Sequence, residues 1–86
     1  MKKVVFKYPV NAGADSMELP LGAEILKIDS QNGGVFLWAL VSPEQVITAT
    51  QKIYVTGTGF IFEDSGMEHV NTFFLGAMVF HVFKEV

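Results

Sequence analysis

Residues 23–41 read AEILKIDSQNGGVFLWALV, and this stretch decides the fold class. From Ala23 to Ser30 the chain alternates: Leu26 and Ile28 fall on one face, Lys27 and Asp29 on the other. That is the period of two of a half-covered strand. Gln31-Asn32-Gly33-Gly34 supplies a turn, since Asn-Gly tolerates the positive φ that a two-residue hairpin needs at both central positions. Val35–Val41 is then apolar on both faces. It is too short for a buried helix and predicts a central strand, covered on both sides by its own chain or by another subunit.

The same grammar extends outward in both directions. Val4, Phe6 and Tyr8 alternate with Lys3, Val5 and Lys7. Further strands are expected over 15–19, 46–56, 59–63, 68–75 and 77–85, separated by glycine and proline clusters. Ser42-Pro43-Glu44 offers the cap of a single helical turn, which Val46, Ile47 and Thr48 oppose. In the last segment Met78, Phe80 and Val82 face one way and Val79, His81 and Phe83 the other. No amphipathic helix of three turns can be drawn. The expected fold is all-β, a small antiparallel β-sandwich or partly open β-barrel of about seven or eight short strands in one domain over residues 1–86.

Composition bears on assembly and partners. Half of the 86 residues are hydrophobic and only 17% are charged, against about 25% in ordinary soluble domains. A folded monomer of 9.5 kDa exposes about 5,000 Å² and buries about 63% of the open chain's surface. The apolar surplus predicts a homo-oligomer, or a greasy pocket. The net charge is −3 and the six cations are all lysine, so long nucleic acid is not an expected partner. The absence of cysteine removes disulfides and thiol chemistry and favours a cytoplasmic setting. No apolar run is long enough for a membrane span, and the N-terminal one is too short for a signal peptide.

Several blocks together carry a family resemblance. Lys7-Tyr8-Pro9, Glu18-Leu19-Pro20 with Gly22-Ala23-Glu24-Ile25-Leu26, Leu37-Trp38-Ala39-Leu40-Val41, Tyr54-Val55-Thr56-Gly57 and Val79-Phe80-His81-Val82-Phe83 resemble, in this order, a family of short phage and bacterial proteins described as a domain of unknown function. The chain departs from that pattern at Tyr54-Val-Thr-Gly-Thr-Gly59, where a second glycine appears. The resemblance brings no activity with it. A phage setting would imply a small accessory protein, such as an inhibitor or a ligand sequesterer.

The residues that carry chemistry are few. His69 and His81 fall on neighbouring strands. They would share a metal or a proton if they faced each other, but no HxH or HxxxH spacing supports this, and the plainer reading pairs each with backbone or threonine. Thr56-Gly57-Thr58-Gly59 reads as a bend between strands, or as a backbone cradle for phosphate. Phe60-Ile61-Phe62 follows it, where a P-loop needs a lysine and a helix. Trp38, Tyr54 and Tyr8 offer aromatic tips for stacking a base, and Lys7 or Lys52 a charge for phosphate. No serine sits in G-x-S-x-G, and Glu63, Asp64 and Glu68 read as a solvated acidic turn.

The sequence therefore predicts a non-enzymatic binding protein with no cofactor and no metal. Its expected partners are itself and a nucleotide-type small ligand, as in a phage counter-defence sponge, met by Lys7, Tyr8, Trp38, Lys52, Tyr54, Thr56, Gly57, Thr58, His69 and His81. The alternative is a protein–protein interaction module acting on a host or phage protein, and behind it a small hydrolase.

Overall fold

The computed structural model describes residues 1–11 and 13–86. Among them are seven strands: β1 (Val4–Pro9), β2 (Ser16–Pro20), β3 (Glu24–Gln31), β4 (Gly34–Val41), β5 (Thr48–Gly57), β6 (Met67–Leu75) and β7 (Met78–Glu85). Every ladder is antiparallel. They form a three-stranded sheet, β1-β4-β3, and a four-stranded sheet, β2-β5-β7-β6. Among the described residues no ladder joins the two sheets, so the sandwich, not the barrel, is the architecture.

The two strands that are apolar on both faces, β4 and β7, are each flanked by neighbours on both sides. In β4, Leu37, Ala39 and Val41 face the other sheet and are buried, whereas Phe36, Trp38 and Leu40 are half-buried on the outer face. Leu19, Ile25, Ile28, Ile53, Phe73 and Val82 complete the core between the layers. The β3–β4 hairpin turns as expected, with φ of 51° at Asn32 and 81° at Gly33.

One side of the sandwich is closed by a side chain. β3 and β6, the edges of their sheets, lie together, and the Asn71 carboxamide takes the place of a strand there. Its Oδ1 accepts the Ile28 N–H at 2.9 Å and its Nδ2 donates to the Ile28 carbonyl at 2.7 Å. The Ser30 hydroxyl adds a bond to the Phe74 carbonyl at 2.7 Å.

Three expectations need correction. A β-bulge between Ile25 and Lys27 puts Ile25, not Leu26, on the face of Ile28; Leu26 is exposed. Residues 59–63 are not a strand. After the turn at Thr58–Gly59 the chain leaves the sheet as an irregular strap that returns at Met67. The reason is conformation and packing: Gly59 takes a φ of 91°, and the Phe62 side chain finds its partners on the sheet face. β5 begins at Thr48, not Val46, because the Gln45 N–H bonds the Ser42 carbonyl and spends residues 42–45 on a turn.

Candidate functional site

The outer face of the four-stranded sheet carries the chemistry. The ladder register sets three rows across β5, β7 and β6: Tyr54-Phe83-His69, then Thr56-His81-Thr72, then Thr58-Val79-Phe74. A second bulge creates this array. Between His69 and Asn71 the β6 register slips by one residue. His69 thereby shares the outer face with Thr72, three residues on, while Asn71 is released toward Ile28.

The polar side chains form one chain of contacts. Thr58 Oγ1 lies 2.8 Å from His81 Nε2, His81 Nδ1 lies 2.9 Å from Thr72 Oγ1, and Thr72 Oγ1 lies 3.2 Å from His69 Nε2. Both nitrogens of His81 are therefore engaged. A neutral imidazole has one donor and one acceptor, and each hydroxyl both donates and accepts, so the chain is satisfied in either direction. The two histidines are bridged by Thr72 rather than directly opposed, as the plainer reading of the sequence expects.

The strap roofs part of this face. The Phe62 ring packs 4.7 Å from Phe83 and 5.4 Å from Tyr54, the latter stacked at 27°. The Phe60 ring lies 3.1 Å from where a side chain at Gly57 would begin, so a larger residue there would push the ring aside. The strap closes on itself through Glu63, which accepts from the Ser65 hydroxyl at 2.7 Å and the Ser65 N–H at 3.1 Å. Those two bonds hold its carboxyl below the ordinary range. Between strap and sheet is a notch of about 210 Å³, lined by Thr56, Gly57, Thr58, Gly59, Phe60, Phe62, His69, His81 and Phe83.

Five of the residues predicted from sequence line this notch: Thr56, Gly57, Thr58, His69 and His81, with Tyr54 one ring away behind Phe62. The other four are elsewhere. Lys7 and Trp38 pair on the outer face of the three-stranded sheet, where the Lys7 ammonium sits 4.7 Å from the Phe36 ring centre and donates to Gln31 at 2.9 Å. Tyr8 packs against the core between the sheets. Lys52 pairs with Ser16 and lies 3.9 Å from Glu85. The expected union of aromatic tips and lysines in one pocket is corrected accordingly: one chain does not assemble it.

Part of the bend's backbone is already committed. The Thr58 N–H donates to the Val79 carbonyl and the Phe60 N–H to the Gly57 carbonyl, so these two donors of the bend are spent on the fold. No lysine and no carboxylate lines the notch. Thr58, His81 and Thr72 do have the spacing of a nucleophile, a base and an orienting group. Their third member is a neutral hydroxyl, where catalytic triads hold the imidazolium with a carboxylate. Among the described residues no group of three metal-ligating side chains is gathered.

The alternating pattern does not mark Thr72, and it places Phe60 and Phe62 in a strand over 59–63 that the chain does not form. Thr72 belongs with the histidines only through the bulge, and an alternating pattern does not reveal that slip. A second opening, of about 620 Å³, lies at the end of the sandwich between Val10, Val35, Val55, Phe73, Leu75 and Phe80. Its wall is largely apolar, with Asn11, Asp15 and Tyr54 also among the lining residues.

The profile of a family described as a domain of unknown function, DUF7352, matches residues 1–86, the full length of the sequence. No curated protein matches, and no solved structure matches.

Proposed function

The chain belongs to this family of unknown function, and we propose that it is a small binding protein that holds a planar, uncharged heterocycle, the base end of a nucleotide-type ligand, in the notch under the strap. The observation that carries this reading is the pairing of ring walls with a polar row. Phe60, Phe62 and Phe83 offer ring surface for packing, and the Thr58 hydroxyl, which spends one bond on His81, keeps a bonding site for a ring edge. Stacking contributes about 1–3 kcal/mol per base. The volume of about 210 Å³ is below the roughly 300 Å³ at which drug-sized sites begin, so one ring system fits and a whole nucleotide does not. Phosphates would extend into solvent with no lysine to meet them. Catalysis is not part of the proposal, nor is a role as a phage sponge required by it; sequestration of a nucleotide-type signal is the form such binding would take in that setting.

Thermal denaturation with a panel of bases, nucleosides and nucleotides tests it. A ligand at a hundred times its Kd adds about 2.7 kcal/mol, which shifts Tm by more than about 10 °C in a domain of this size. Nucleosides are expected to shift Tm as much as their nucleotides, and Phe62→Ala to abolish the shift. No shift with any member refutes the reading. One observation favours a second reading, a protein-interaction surface: Phe60, Ile61 and Phe74 stand 72%, 100% and 65% exposed around the notch. An unresponsive panel together with a stoichiometric protein partner, lost on Ile61→Asp, would select it.

A further inference from the structure

The side of the sandwich opposite the Asn71 corner is open. There β1 ends one sheet and β2 ends the other, and among the described residues no backbone hydrogen bond reaches the outer edge of either strand. Their relative direction follows from the corner. Ile28 meets Asn71 and Ser30 meets Phe74, so β3 and β6 run the same way. β1 runs with β3 and β2 runs against β6, so β1 and β2 are antiparallel to each other.

We propose that this open side is a homodimer interface, in which a second copy lays its β2 along β1 and its β1 along β2. A two-fold axis parallel to the strands exchanges the two layers and keeps strand direction. Both new pairs are then antiparallel, and each three-stranded sheet runs on into the four-stranded sheet of the other copy.

The alternation of both strands fits this occupant. The Val10 N–H bonds the Val35 carbonyl, so even-numbered residues of β1 turn their backbone toward β4, and Val5 and Lys7 turn theirs outward. The bonds from Leu21 N–H to Ile47 and from Ile53 N–H to Asp15 place Ser16, Glu18 and Pro20 outward on β2 in the same manner. Pairing Lys7 with Glu18 of the second copy sets opposite charges together on the outer face. It also sets Phe6 against Leu19 on the core face, where Phe6 is 48% exposed although it points between the layers. Pro9 and Pro20, which lack an outward N–H, bound the ladder at its ends. About four hydrogen bonds per ladder remain, about eight in the dimer, within the usual 10 ± 5 of a protein interface.

Charge and area agree with the fit. Lys2, Lys3 and Lys7 flank one edge, while Asp15 and Glu18 flank the other. The ammonium of Lys7 spends one donor on Gln31, and the Glu18 carboxylate accepts from Thr50, so both keep bonding capacity. The single chain exposes 5768 Å², against about 5,000 Å² for a monomer of its mass. That excess is close to the roughly 800 Å² per partner of a standard interface.

Neither β1 nor β2 lines the notch, so this interface stands or falls separately from ligand binding. Sedimentation velocity on the intact chain tests it. The expected species has twice the 9.5 kDa chain mass. Lys7→Glu and Glu18→Lys should each weaken dimerisation by roughly tenfold or more, and the double variant should restore it. Glu18→Pro removes an outward N–H without touching the β2–β5 ladder and should give a folded monomer, with its fold checked by circular dichroism. A wild-type monomer at about 100 µM overturns the proposal, because specific interfaces of standard size bind at about micromolar or tighter. So does a dimer indifferent to all three single changes.

Discussion

Replacing Asn71 by alanine removes the clip between β3 and β6. Both backbone groups of Ile28 lose their partner in one step, at a residue with 0% exposure. An orphaned buried polar group costs about 1–3 kcal/mol, so the pair should cost about 2–6 kcal/mol. A domain of 86 residues has a total stability of roughly 4–13 kcal/mol, so the loss is a large fraction. At about 4–8 °C per kcal/mol, Tm should fall by roughly 8 °C at the least. Asn71→Asp separates the clip from mere packing. Its carboxylate still accepts the Ile28 N–H but faces the Ile28 carbonyl with nothing to donate, and protonation restores the donor. The fold thus favours the neutral acid and raises the pKa of the new carboxyl above its unfolded value of about 3.9. The variant should be nearest wild type below about pH 4 and lose stability as pH rises through the folded value. Urea unfolding at pH 4 and pH 7 measures both effects. An alanine variant within about 0.5 kcal/mol of wild type, the usual surface range, refutes the reasoning, as does an aspartate deficit equal at the two pH values.

Thr72→Val keeps the volume and removes the hydroxyl that both histidines share; it should cost about 1 kcal/mol and shift the side-chain nitrogen resonances of His69 and His81 together in NMR spectra. Phe62→Ala takes away the rings' contacts with Phe83 and Tyr54, each worth about 0.5–1.5 kcal/mol, and should make the strap the first site of limited proteolysis while the far-UV spectrum stays unchanged. Gly33→Val places a β-branched residue at a φ of 81° and should cost at least about 1–2 kcal/mol, read as a drop in the urea midpoint. The Lys27 ammonium, 2.8 Å from Asp29, and the Ser30 N–H hold the Asp29 carboxyl below its ordinary value. The small stabilisation from this pair is therefore present at neutral pH and lost as pH falls below the carboxylate range, and Asp29→Asn should flatten that acid-side slope in thermal melts.

The parts of the fold legible in the sequence are those set by near neighbours. Alternation marks β1 and β3, and the two-faced runs mark β4 and β7 as central strands, because a strand apolar on both faces must be flanked and covered. Asn32-Gly33 marks the hairpin because few residue pairs accept its backbone angles. Within the candidate site, Thr56, Gly57, Thr58, His69 and His81 were legible because few other residues in the chain offer ligand chemistry. Lys7, Tyr8, Trp38 and Lys52 went astray because their grouping required strand order, and chemistry alone does not bring β1 beside β5.

By itself, then, the amino-acid order determined an all-β chain of short antiparallel strands, its principal hairpin and its shortage of charge. The tertiary structure decided the two bulges, the strap and the Asn71 corner. A bulge moves every later side chain to the opposite face, and what selects it is the partner across the sheet: Ile28 needs a clip and His81 needs a hydroxyl. Those requirements come from residues 43 and 9 positions away, beyond the reach of any local pattern.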